Sequence, residues 1–263
     1  MKKLLCVVAL AVGVTVLPAI PISPVAANPS TTGYVNGYKI GPGADLVGAK
    51  LRNANLAGKD LRRASLQNAD LRGADLRKTN LYRADLSGAD MRGAKLSSTN
   101  LNNADLSGVD LRRINLRGKK LVGINLYGAN LSNADLSGAN MFRANFEFAN
   151  LTGAKISFAR LLEARMSGAD LSYADLTSSN LTSADLHESN LFGADLSFAS
   201  LAYADLGSAN LTSVDLNFAT LYGANMEDAI LNYADLTYAK MNRADAYGAT
   251  GTSVRLPWSW KYE

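Results

Sequence analysis

The side chains best suited to chemistry are few. His187 is the single histidine, with Asp185 and Glu188 beside it in sequence. One imidazole with two nearby carboxylates falls short of the converging ligands that a metal centre needs. Serines are plentiful, but nothing in the pattern places a base beside one to activate it. Cys6 is the only cysteine. It lies in a segment expected to be removed, and the mature chain is then expected to have no disulfide, thiolate ligand or catalytic thiol. The most regular chemistry is basic. Arg52, Arg72, Arg92 and Arg112 recur every twenty residues, and Asp70, Asp90 and Asp110 each stand two residues before an arginine. Two readings fit this strip. It binds anions such as phosphate, lipid headgroups or an acidic protein, or it is a ladder of surface ion pairs, each worth about 0 to 1 kcal/mol.

The element that positions these residues has a period of five. From Leu46 to Met241 every fifth residue is Leu, Met, Phe or Ile, forty positions without an insertion or deletion. Two residues before each is a small residue, alanine at thirty of the forty, and Asp or Asn usually stands between. Five matches neither the 3.6 period of a helix nor the 2 period of a strand. Residues two apart in extended chain point the same way, so Ala44 and Leu46 face inward while Asp45 faces out. The apolar pattern then resumes after three residues instead of two, which requires a corner. Gly48, Gly73, Gly88 and Gly108 suit corners, where φ is often positive. The outward residues count the sides. The arginines recur at twenty, as do Phe198, Phe218 and Tyr238, which makes four pentapeptides to a turn. Forty repeats then give about ten coils and a rod about 48 Å long at a strand spacing of about 4.8 Å.

This pattern resembles the pentapeptide-repeat family, whose A-(D/N)-L-x-x unit is met by Ala134-Asp135-Leu136-Ser137-Gly138. The resemblance covers about three quarters of the chain. It implies an all-β fold, a right-handed quadrilateral parallel β-helix, the hand that parallel crossovers favour. A looser likeness to exported cyanobacterial members implies a periplasm or thylakoid lumen. Some members mimic DNA with an acidic surface and protect gyrase. That role fits poorly with an exported chain whose first half is basic, and direct nucleic-acid binding fails on compartment in the same way.

The ends are read from composition. Lys2 and Lys3 precede an apolar run from Leu4 to Val14, then Pro18, Pro21, Pro24 and Val25-Ala26-Ala27. Residues 1–27 are expected to be a signal peptide cut after Ala27, with a membrane anchor as the alternative. Residues 28–43 carry Tyr34, Tyr38 and Ile40 and are expected to cover the first coil or be flexible. Residues 44–243 form the solenoid. Residues 244–263, where Asp245-Ala246 and Thr250-Gly251 lose the large apolar residue, are expected to cap it with Leu256, Pro257, Trp258, Trp260 and Tyr262.

Departures from the repeat mark the candidate sites. Residues 44–123 hold 16 Lys and Arg against 8 Asp, and residues 124–243 hold 6 against 13 Asp and Glu. The +4 of the whole chain therefore conceals a basic half and an acidic half. Further positive charge lies at Arg62, Arg63, Arg77, Lys78, Arg83, Arg113, Arg117 and Lys120. Phe158, Phe198, Phe218 and Tyr238 share one corner column, read either as mutual support or as a dimer or partner interface. Val109, Ile114, Lys119 and Ile124 replace alanine on four consecutive sides and are expected to distort the coil, since overpacking costs about 1 to 3 kcal/mol unless backbone moves. Lys119, and Lys59 nearer the start, are expected to reach out through the wall. A filled rod offers flat faces and no deep recess. The chain is read as a non-enzymatic exported scaffold, without cofactor or metal, that binds a protein partner or itself. Its alternative role is binding an anionic lipid or polymer surface through the basic half.

Overall fold

The computed structural model describes residues 32–257. The expected leader 1–27, with Cys6, and the tail aromatics Trp258, Trp260 and Tyr262 lie outside them.

Parallel bridges join the outward middle residue of all but three repeats in this span to the residue twenty further on, from Asp45 with Ser65 to Asp235 with Arg255. With a corner every five residues, each coil has four sides. The interior is filled as the pattern requires: Leu51, Leu71 and Leu131 are wholly buried, the alanines between them nearly so, and Phe146 takes one leucine position inside the column. Each side is stitched to the coil above by main-chain bonds such as Leu131 N–H to Asn150 O (2.7 Å) and Asn133 N–H to Thr152 O (2.9 Å). This burial and pairing repeat from coil to coil, so stability accrues between nearest neighbours.

The corners are less dependent on glycine than the sequence implies. The second residue after every leucine-type position has positive φ, from Gly43 to Ser253, whether it is Gly108, Arg113, Phe198 or Tyr203. The corner is closed instead by the Asx residue. Its Oδ1 accepts the N–H two residues on, as in Asp195 to Ser197 (2.9 Å) and Asn130 to Ser132 (3.1 Å). These bonds explain the Asp/Asn preference, since a short side-chain acceptor satisfies an amide that the turn leaves without a main-chain partner.

The first described element is a hairpin. Strand β1 (Gly33–Val35) pairs antiparallel with β2 (Tyr38–Ile40) around Asn36-Gly37, both at positive φ. That is the geometry of a two-residue primed turn. The hairpin covers the first coil: Ile40 is buried, the Tyr38 hydroxyl accepts Lys50 N–H (3.1 Å), and Lys59 Nζ donates to Thr32 O (3.3 Å). At the other end the ladder continues past 243, through Ile230 with Thr250 and Asp235 with Arg255. The wall thus persists beyond residue 243, while Ala246 and Gly251 take the place of the large apolar residue inside it.

The ladder is interrupted once among the described residues. Bridges are missing between 90 and 110, 95 and 115, and 100 and 120, and with them every main-chain bond of those three sides except Asn103 N–H to Val122 O. The next coil up is bonded normally, from Asp110 with Asn130 onward. Above the gap sit Val109, Ile114 and Lys119, over Ala89, Ala94 and Thr99. Extra inward bulk on three consecutive sides holds the coils apart. Ile124 is corrected out of this group: the 105 to 125 bridge is intact, and Val122 O accepts Asn103 N–H (2.9 Å) while Asn102 Oδ1 accepts Val122 N–H (3.0 Å). A lone bulky residue is absorbed elsewhere too, since Val214 leaves its ladder unbroken.

Candidate functional site

The arginine column is largely self-neutralised. Arg72, Arg92 and Arg112 each fold back onto the carboxylate two residues earlier, at 2.6, 2.6 and 2.7 Å, and Arg72 also reaches Asp90 at 3.5 Å. Arg62 with Asp60 and Arg77 with Asp75 repeat the fork on other faces. The guanidinium hydrogen bond from Arg72 is the main cause holding the Asp70 carboxyl down to about 2, and Arg77 does the same for Asp75, also about 2. Arg52 differs because Lys50 occupies the fork position, so it acts on Asp70 only through its charge. These forks favour the ion-pair reading of the strip. The basic character of this half is then carried by corner and wall cations such as Arg63, Lys78, Arg83 and Arg113, which stand at positive-φ corners.

The aromatic column is real but shorter than its sequence spacing suggests. Phe198 and Phe218 stack at 5.0 Å and 3°, and Phe218 and Tyr238 at 4.8 Å and 16°. All three remain exposed, between 47% and 60%. Phe158 shares the face but not the stack, since Ser178 occupies the intervening coil. Asp195, Asp215 and Asp235 run beside the rings, bridged coil to coil. The result is an apolar strip with an acidic margin. Other aromatics lean differently: Phe148, Tyr173 and Tyr203 lie over Gly168, Gly193 and Gly223, where an added Cβ would come within about 2.7 to 3.0 Å of each ring. Those rings form edge contacts with Tyr127, Phe192 and Tyr222 at 5.5, 5.4 and 5.4 Å.

His187 points outward, 3.5 Å from Glu188. No group of acidic, histidine or cysteine side chains suited to a metal ion occurs among the described residues. Lys119 does not leave the wall but turns along it, donating from Nζ to Leu96 O at 2.5 Å. It continues a polar column begun by Thr79 and Thr99, whose hydroxyls donate to Leu56 O (2.7 Å) and Leu76 O (2.6 Å). Read from sequence, Lys119 groups with Val109, Ile114 and Ile124 and pairs with Lys59, although the twenty-residue spacing of Thr79, Thr99 and Lys119 also stands in the sequence.

Among the described residues, no helix is long and apolar enough to cross a membrane. The family model for pentapeptide repeats matches in 8 copies, reaching from residue 44 to residue 228. No curated protein matches the chain. Among solved structures, HetL, a pentapeptide repeat protein involved in heterocyst differentiation regulation from the cyanobacterium Nostoc sp., is 32% identical, over 78% of this chain and 86% of that one, with a TM-score of 0.56. QnrB1, a plasmid-mediated fluoroquinolone resistance protein, is 17% identical over 75% of this chain and 89% of that one, at a TM-score of 0.30. The repeat frame, the Asx-closed corners and the match along most of the chain agree, and the chain belongs to the pentapeptide repeat family.

Proposed function

We propose that the protein is a non-enzymatic, exported scaffold, a right-handed four-sided rod of about ten coils that docks another protein on its acidic, aromatic face. The observation that carries this reading is the stack of Phe198, Phe218 and Tyr238, exposed in register beside Asp195, Asp215 and Asp235. Rings fixed by their neighbours lose little freedom on binding, and aromatic side chains are enriched where interfaces concentrate their energy. The acidic margin selects a partner surface that is apolar at its centre and basic at its edge. Residues 1–27 serve as the export signal, the β1–β2 hairpin closes the first coil, and export favours this role over gyrase protection. The filled core argues against a catalytic recess.

The test is retention of partner by the mature chain, comparing the natural protein with a Phe198→Ser, Phe218→Ser double variant. Loss of partner, or of self-association in sedimentation, supports the interface. An unchanged partner set and an unchanged sedimentation coefficient remove it. Fractionation of the native cells tests export by locating the chain outside or inside the cytoplasm.

A further inference from the structure

The interruption in the ladder leaves a recess beside unpaired main-chain groups. Two adjoining clefts of about 500 and 460 Å³ open around the corner formed by Ser98 and Arg117. Lys95, Arg117, Lys119 and Lys120 line them, and neither is lined by a carboxylate. Arg62, Arg72, Arg77, Arg92 and Arg112 are each held by an aspartate, whereas Lys95 and Arg117 reach Asp75 and Asp135 only through their charge.

The opened 95/115 side also leaves main-chain groups unpaired, the amides of Leu96, Ser98 and Asn115 together with the carbonyls of Ala94, Asn115 and Arg117. In an unbroken ladder the N–H groups of Leu96 and Ser98 would donate to Asn115 O and Arg117 O, as every neighbouring coil does. Here those bonds are not made. Leu96 is almost fully buried, so its amide has little access to bulk water. The Leu96 and Ser98 amides stand two residues apart on one sheet edge, and such an edge holds an anion where cations offset the carbonyls across the gap. An unmade buried hydrogen bond costs free energy that a ligand's acceptor recovers on binding. Burial also lowers the pKa of Lys119, and a bound anion would relieve that by pairing with the ammonium.

We propose that this split between coils binds a phosphoryl group, with the amides of Leu96 and Ser98 and the side chains of Lys119 and Arg117 as its donors. A tetrahedral, multiply charged oxyanion supplies enough acceptors for several donors converging from both coils, which a single carboxylate does not. Lys95 and Lys120 stand at the two mouths and raise the local concentration of anions. The site is independent of the aromatic face, so either can fail while the other holds.

The test uses the mature chain and inorganic pyrophosphate, followed by calorimetry and by hydrogen exchange at the Leu96 and Ser98 amides. Lys119→Thr removes the charge but keeps an occupant already used in this column by Thr79 and Thr99, so the fold has a precedent for it. Loss of one charge-assisted bond is expected to weaken binding about tenfold or more, and Arg117→Gln likewise, with Arg83→Gln, a corner cation outside both clefts, unchanged. Pyrophosphate is expected to slow exchange at the Leu96 and Ser98 amides. A second variant, Val109→Ala with Ile114→Ala, is expected to close the gap and abolish binding without removing a cation. Vesicles with and without phosphatidic acid identify the source. Sedimentation with the acidic vesicles, competed by pyrophosphate and lost in Lys119→Thr, assigns a lipid phosphate; binding of soluble pyrophosphate alone assigns a free one. Equal pyrophosphate affinity in the natural chain and Lys119→Thr, or no protection at Leu96 and Ser98, overturns the site.

Discussion

If inward bulk is what parts the coils, removing it must restore the ladder. The perturbation is Val109→Ala, Ile114→Ala and Lys119→Thr together, which returns the three open sides to the occupants found directly beneath them, Ala89, Ala94 and Thr99. The two apolar truncations delete five carbon groups, worth about 4 kcal/mol of burial at about 0.8 kcal/mol each. Against this, a closed side carries up to three main-chain bonds to its neighbour, so the 90/110, 95/115 and 100/120 sides regain bonds worth about 8 kcal/mol at about 1 kcal/mol each. The local balance is a gain of about 4 kcal/mol, equivalent to about a thousandfold slower exchange for amides that open locally. Hydrogen exchange resolved at Leu96, Ser98, Asn115 and Lys120 reads this directly. A thousandfold slowing there, with little change at Leu151 or Leu171, is the expected result. Natural exchange rates at those four amides, in a variant whose other coils remain protected, would refute the wedge argument and with it the origin of the cleft.

Three other perturbations test the frame. Asp70 and Asp75, held down to about 2 from an ordinary 3.8, bind protons more weakly folded than unfolded, so they stabilise the fold above about pH 4 and lose that contribution as pH falls towards 2. Arg72→Gln with Arg77→Gln should flatten the acid limb of a thermal-denaturation series between pH 2 and 4; an unaltered limb would show that the forks do not couple to folding. Leu151→Ala, at a wholly buried position, should cost about 2 to 5 kcal/mol by chemical denaturation, and a cost under about 1 would contradict a packed core. Gly168→Ala places a Cβ about 2.7 Å from the Phe148 ring at φ +64°, and is expected to cost about 1 to 2 kcal/mol for the left-handed backbone. Because the exposed ring can swing away, Phe148→Ala should recover little of that cost, and full recovery would show that the ring clash dominates.

Much of the rod was legible in sequence because each repeat makes the same choice. Leu and Ala two apart fix the inward face, and the twenty-residue recurrence of the arginines fixes the number of sides. The role of the Asx residue was not legible, because Asp45 or Asn130 reads only as an outward polar residue until its carbonyl-type oxygen is seen on the amide two residues on. The hairpin over the first coil was signalled by Asn36-Gly37 between Tyr34-Val35 and Tyr38, a two-residue turn that the length of the segment obscured. The arginine strip was visible, but its forks depend on a side-chain rotamer that spacing does not specify. The extent of the irregular coil was legible on three sides of four. Ile124 carries the same bulk as Ile114, and they are distinguished by the bonds Asn125 N–H to Ala104 O and Leu106 N–H to Asn125 O, whose counterparts on the Ile114 side are not made. Phe158 was grouped with the aromatic stack because periodicity counts positions and does not register the Ser178 gap.

The most direct measurement of the account's central claim is partner retention by the mature chain, isolated from its own compartment, on the natural rod and on the Phe198→Ser, Phe218→Ser rod side by side. The account predicts that one protein, basic around an apolar centre, is held by the natural rod and lost from the variant, while both melt alike. The same proteins bound to both rods, or none bound to either with both sedimenting as monomers, would contradict it.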